Sequence, residues 1–160
     1  VSDRGVETIE SLVEKLDLTE VVFYQVAATL REEEAPSEIP DGGHKTDYGF
    51  RTRHVGNEFG VRFRVDITAP QGEVVVDLAC EYASDEPLRI PRDVAFEFVN
   101  NVALMQAFPF WREAVLTLTT RVFREPILLK VFMRGELAFP LDGEGPDISD
   151  GAAKAAAQEG

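Results

Sequence analysis

The chain has little with which to do covalent chemistry. It holds one cysteine, Cys80, and two histidines, His44 and His54, in 160 residues. A single cysteine excludes an intrachain disulfide and leaves no zinc spacing. His44 lies in a Gly-rich stretch and His54 follows Arg53. Neither stands in a motif that pairs a nucleophile with a base. There is no glycine pattern of the P-loop or dinucleotide-binding kind, and no cluster of His, Cys, Asp or Glu at ligand spacing. The sequence therefore predicts no catalytic residue, no metal and no cofactor, and so a protein that is not an enzyme.

Positive charge is also scarce. Lys and Arg number 16 against 29 Asp and Glu, a net charge of −13. Nucleic-acid binding requires cationic side chains to neutralise phosphates, so no nucleic-acid partner is expected. An anionic membrane surface is disfavoured for the same reason. No apolar run reaches the roughly 18–20 residues that span a bilayer, so no membrane insertion is expected. No basic segment precedes an apolar stretch at the N-terminus, which predicts no secretory leader. Together these absences favour the cytoplasm. The acidic excess suits solubility or docking of a basic partner.

What is present suits one core, with 44% apolar residues. Residues 1–17 hold a short amphipathic helix over 6–16, with Val6, Ile9, Leu12, Val13 and Leu16 on one stripe. Residues 18–31 read as a strand with two apolar faces, Val22, Tyr24, Val26 and Leu30 on one and Val21, Phe23 and Ala27 on the other. Residues 32–49 read as a loop, broken by Pro36, Pro40 and Gly42-Gly43, and 50–55 as a short irregular strand. The strongest hairpin is 57–68 with 73–83. Phe59, Val61, Phe63, Val65 and Ile67 face Val74, Val76, Leu78, Cys80 and Tyr82 across one side. On the other side Arg62 and Arg64 come near Asp77 and Glu81, an ion-pair surface. Cys80 points inward, as an inert buried thiol.

A long helix follows, with Pro91 in its approach and Asp93 as its cap. Its stripe is Val94, Phe98, Val102 and Met105, and Pro109 is expected to interrupt it. It resumes over 111–123 and stops at Glu125-Pro126. Residues 127–139 form a last apolar segment, and 141–160 read as a disordered tail. Strands first and helices after them make an α+β domain over 18–140, an antiparallel sheet with a Pro-kinked helix on one face.

Eleven Phe, three Tyr and one Trp are too many rings for so thin a core. Oligomerisation would cover the excess, and an apolar groove that binds other chains would use it. The residues that carry this excess also resemble a known family. Phe108-Pro109-Phe110-Trp111-Arg112-Glu113 is similar to the Phe-Pro-Tyr-x-Arg-Glu signature of SecB, the bacterial export chaperone. Arg121 falls at the matching distance, and Phe123, Pro126 and Leu128-Leu129 resemble the Phe-Pro-x-Leu-x-Leu that follows. Upstream, Phe63 to Ala69, Cys80-Glu81 and Glu34-Ala35-Pro36 resemble the family's third strand, fourth strand and end of its first. The matches keep their order over about residues 20–132.

The resemblance implies a four-stranded sheet and a long helix assembled as a homotetramer, a dimer of dimers. It implies an ATP-independent holdase that takes unfolded or pre-export polypeptides in apolar grooves and passes them to the Sec translocation machinery. Client contacts are expected from Phe23, Tyr24, Phe96, Phe98, Leu128, Phe132 and Met133. The oligomer interface is expected at Val102, Met105, Phe110, Trp111 and Val115. SecA would dock on acidic residues, for which Glu34 and Glu81 are the matching positions. The chain departs from the family at Leu30, where an acidic residue would stand, and at Lys130, where a proline is missing. Gly135 and Pro140 leave little room for a second helix. Such departures resemble divergent members that hold an antitoxin in a toxin–antitoxin system. A small-ligand-binding α+β module is the remaining alternative.

Overall fold

The computed structural model describes residues 5–39, 43–130 and 151–153, the last three by their backbone. Four long strands, β1 (Asp17–Leu30), β2 (Lys45–Val55), β3 (Glu58–Ala69) and β4 (Gly72–Ala83), make an antiparallel sheet in the order β1-β4-β3-β2. A short helix, α1 (Ile9–Lys15), precedes them. After them α2 (Arg92–Phe98), a π-helical turn (Val99–Ala103) and α3 (Leu104–Val122) run as one rod over one face. The four-stranded sheet, long helix and short N-terminal helix are the predicted α+β architecture. A further strand, β5 (Gly151–Ala153), pairs antiparallel with the outer edge of β2. Those three residues lie in the stretch read as a disordered tail, and here they belong to the sheet.

The β3–β4 hairpin follows its sequence pattern. Phe59, Val61, Phe63, Val65, Ile67, Val74, Val76, Leu78, Cys80 and Tyr82 are all buried beneath the helical layer. Register pairs Phe63 with Leu78 and Val61 with Cys80, so alternate residues of both strands share the covered side. Gly72 opens β4 because a Cβ there would run into the carbonyl oxygen of Thr29 on β1. Gly56, at φ +60°, turns β2 into β3, a conformation that favours glycine.

β2 is longer and more regular than its sequence suggested. It begins at Lys45, inside the stretch read as loop, because Thr46, Tyr48, Phe50 and Thr52 alternate inward and are buried. Two of these four are polar, which hid the period. α1 is shorter than predicted. Thr8 caps it by accepting the Ser11 N–H at 3.2 Å, and Val6 lies outside it, buried and tied by its N–H to the Arg89 carbonyl. The helix packs on α2 of the same chain through Leu12 and Leu16.

The long helix differs most from its prediction. Pro91, not Asp93, holds the N-cap position. The helix passes through Pro109 without a break. Pro109 and Met105 both lie on the exposed side, where water can serve the carbonyl left without a donor. The irregularity sits upstream instead, at Val99–Ala103, where the Leu104 N–H donates to the Val99 carbonyl, five residues back. The buried stripe reads 94–96, 98/99, then 103/104, 107/108, 111, 114/115 and 119. The jump of five across the π turn rotates α3 by one residue against the straight α period. Met105, on the extrapolated stripe, is thereby turned out of the core, and Val102 is left half-buried at its margin.

Trp111 fills the centre of the layer. Its ring lies 5.5 Å from Tyr48, 5.5 Å from Phe63 and 6.4 Å from Phe108, centroid to centroid. Phe63→Ala should cost about 3–5 kcal/mol of unfolding free energy. Urea unfolding followed by the emission of Trp111, the one tryptophan, measures it. A loss below about 1 kcal/mol would mean that the ring cluster is not the core.

Candidate functional site

Among the described residues β1 is an edge strand with β4 on one side only, and its residues are exposed or half-buried along its whole length. Two bulges set its faces. Register shifts fall between Leu18 and Glu20 and between Phe23 and Gln25, leaving Thr19 and Tyr24 without a β4 partner position. A bulge inserts one residue and switches parity. The row on the helical side is therefore Leu18, Val21, Phe23, Val26, Ala28 and Leu30, opposite Tyr82, Cys80, Leu78, Val76, Val74 and Gly72. This corrects the two faces inferred from simple alternation, because Phe23 and Val26 share one side. The row spans about 40 Å at roughly 3.3 Å per residue.

The rod does not reach far enough to cover this row. Phe23 is 44% exposed, Val26 44% and Leu30 56%. Phe110, itself exposed on α3, meets Phe23 edge-on at 6.3 Å. Phe110 and Trp111 are neighbours on a helix, about 100° apart, so one can turn to the edge while the other fills the core. The β1 row and Phe110 thus give an apolar track where strand edge and helix flank meet, while Met105 and Leu116, also exposed, fall on the other flank of α3.

Tyr24 projects on the opposite face. Its ring stacks over the Arg62 guanidinium at 3.9 Å. Arg62 is fixed by two hydrogen bonds donated to Asp77, both 2.8 Å, and Asp77 is buried. That bidentate bond raises the Arg62 pKa above its ordinary value. Arg64 turns along its own strand to Asp66 at 2.8 Å, not across to β4. Glu81 lies over Gly60 and accepts from Arg53 at 3.3 Å, so its carboxylate is engaged and its side chain only 21% exposed. Glu34 is exposed in the loop after β1.

The track ends beside an open cleft of about 370 Å³ lined by Gly43, His44, Gln71, Glu125, Pro126 and Leu128, among others. Leu30 pairs with Gly72, and the Arg31 N–H donates to the Gln71 carbonyl, which brings the end of β1 to the cleft. Buried Thr119 shapes it, because its hydroxyl donates to the Val115 carbonyl and accepts the Ile127 N–H at 2.8 Å. Arg112 then donates to the Leu129 carbonyl at 3.2 Å. Leu129 is thereby held inside and Leu128 turned out, 57% exposed. Burial lowers the pKa of His44, on the cleft wall.

Of the residues singled out from the sequence, Phe23, Tyr24, Leu128, Met105 and Phe110 are exposed, and Val102 is half-buried. Phe96 and Phe98 are not at a groove. They are core rings, packed on Phe50 and on Phe59 and Tyr82. Trp111 and Val115 are likewise inside the chain's own core, because the helical period that marked them marks the side turned to the sheet. Phe132, Met133, Gly135 and Pro140 lie outside the described residues. Val26 and Leu30 were read only as strand residues, and the bulge that aligns them with Phe23 leaves no signal in the sequence.

Among the described residues no helix is long and apolar enough to cross a membrane. Cys80 is buried and burial pushes its thiol up to about 11. At pH 8 a thiol reagent should leave the folded chain unlabelled and react fully once urea unfolds it. Fast labelling of the folded chain would mean that β4 opens readily.

No protein-family profile matches this sequence, and no curated protein matches it by sequence. Solved structures do match. One is a Mycobacterium tuberculosis SecB-like chaperone, solved in complex with a ChAD peptide from the HigA1 antitoxin. It superposes with a TM-score of 0.62 at 14% sequence identity, over 78% of this chain and 92% of that one.

Proposed function

We propose that this chain, which has a SecB-like fold and whose described residues leave a long apolar edge strand uncovered, is an ATP-independent holdase for unfolded polypeptides. The observation that carries this reading is the row Leu18, Phe23, Val26 and Leu30 on β1, continuous with Phe110 on α3. A long apolar edge strand left bare invites aggregation, and a protein that keeps one has a use for it. Phe23 and Leu128 are the client contacts assigned here, with Phe132 and Met133 as further candidates, whereas Tyr24, stacked over Arg62 on the opposite face, is set aside.

Covering about five half-exposed apolar side chains gains roughly 5 kcal/mol, an affinity near 0.2 mM. That is weak for one site. Joining several sites in one particle raises the effective affinity by orders of magnitude, which supports the homotetramer. Met105, with half-buried Val102, would supply its interface, whereas Phe110, expected there from the sequence, lies against Phe23 on the client track. Binding only the unfolded form delays its collapse by mass action, without chemical fuel, and a net charge of −13 keeps the loaded particle soluble.

Two destinations for the client follow from the same groove. Delivery to the Sec machinery would use Glu34 and Glu81 to dock SecA. Protection of an antitoxin is the second reading. It is supported by the antitoxin peptide bound to the Mycobacterium chaperone, by the Arg53 partner that already occupies Glu81, and by Leu30 where an acidic residue would stand.

The holdase reading is tested by light scattering from a thermally unfolding client protein. A tenfold excess of this chain should suppress scattering without ATP, a Phe23→Asp/Val26→Asp variant should lose most of that effect while keeping its melting temperature, and an unchanged signal with the wild-type chain rejects the reading. Titration with purified SecA and with the HigA1 ChAD peptide separates the two destinations, and the second reading predicts that only the peptide binds.

A further inference from the structure

The sheet has two edges, and the second is already in use. β5 lies antiparallel on the outer edge of β2, with Gly151 opposite Phe50, Ala152 opposite Gly49 and Ala153 opposite Tyr48. Gly and Ala are poor strand formers, and their side chains are too small to anchor a strand by packing. What holds such a segment in a ladder is the main chain of the edge it joins. The edge is therefore an acceptor of little sequence preference. Among the described residues three, Gly151–Ala153, lie on this edge, against the 11 of β2.

We infer that the β2 edge is a second client site, where an extended, β-prone segment of an unfolded chain adds as a strand in place of Gly151–Ala153. This rests on the holdase reading and adds to it a second grip with a different physical basis. β1 offers side-chain surface, whereas β2 offers backbone donors and acceptors. The inward residues of β2, Thr46, Tyr48, Phe50 and Thr52, are buried in the chain's own core, so the edge is held straight whether or not a client is present. Its outward residues include Lys45, Asp47, Arg51 and Arg53, which suits an added segment with little charge of its own. Gly151–Ala153 is then a resident stand-in, tethered to the same chain. It keeps the edge from pairing with another copy and yields to a segment that brings a longer ladder and larger side chains.

A tethered competitor lowers the apparent affinity of whatever displaces it. The test uses the full chain and a full-length Ala152→Pro/Ala153→Pro variant, since proline cannot donate to a ladder and the change leaves the charge untouched. The probe is reduced, carboxamidomethylated lactalbumin, a permanently unfolded protein. The variant should show faster amide exchange along Tyr48–Phe50 and bind the probe roughly 3–10-fold more tightly, and bound probe should restore protection at the same amides. Equal exchange and equal affinity in the two proteins would overturn the inference. Binding without protection of β2 would also overturn it, while leaving the holdase reading intact. If the probe binds neither protein, the holdase reading falls and the inference with it.

Discussion

Trp111 meets Tyr48, Phe63 and Phe108 at the middle of the covered face, and the placing of every other surface depends on that contact. It fixes the rotation of α3 on the sheet. With Trp111 turned down, Phe110 turns to the β1 side and Met105 away from the sheet. The π turn makes this rotation compatible with the burial of Phe96 and Phe98 on the preceding helix. Without the extra residue between Val99 and Ala103, the two halves of the rod could not both lay their large rings on the sheet. The cost of a π turn is poorer hydrogen-bond geometry, and the gain is a core built from a single rod.

A single rod is narrower than a four-stranded sheet. Strands lie about 4.8 Å apart, and a helix with its side chains is about 10–12 Å across. One helical layer thus covers two or three strands and leaves an edge over. In this chain the remainder is β1, and its residues are apolar where a monomer would carry charge. The described residues therefore leave apolar surface uncovered along β1, and the exposed part of the aromatic excess, Phe23 with Phe110, lies there. The acidic surplus is the complement of this feature, because a particle with a bare apolar strip stays dispersed only if its copies repel one another.

The parts of the fold that were legible in the sequence are those governed by local period. The alternation from Phe59 to Ile67 and from Val74 to Tyr82 located a hairpin whose inward residues are all buried. The excess of rings singled out Phe23 and Tyr24 together with Phe96 and Phe98, and local period alone could not separate the exposed pair from the buried one. Illegible were the features that depend on a partner strand or on the packed layer. The bulge at Tyr24 exists only relative to β4, and it decides which residues join Phe23. The π turn exists because two rings must reach one sheet, and it displaced Val102 and Met105 from the stripe that α periodicity assigned them. The inward pattern of β2 was masked because Thr46 and Thr52 are polar, and β5 because Gly-Ala-Ala carries no strand signal. Trp111 and Val115 show the converse error, in which a helical stripe was read as an interface when the chain's own sheet takes it.

If unfolded chains lie along the β1 edge beside α3, a photo-crosslinking residue, benzoylphenylalanine, placed at Phe23 in the full chain and irradiated with an unfolded protein in excess should form a covalent adduct with that protein. The adduct should disappear when the protein is replaced by its folded form. If irradiation under conditions of demonstrated client binding yields no client adduct at position 23, or only adducts between copies of this chain, then β1 is not where clients lie.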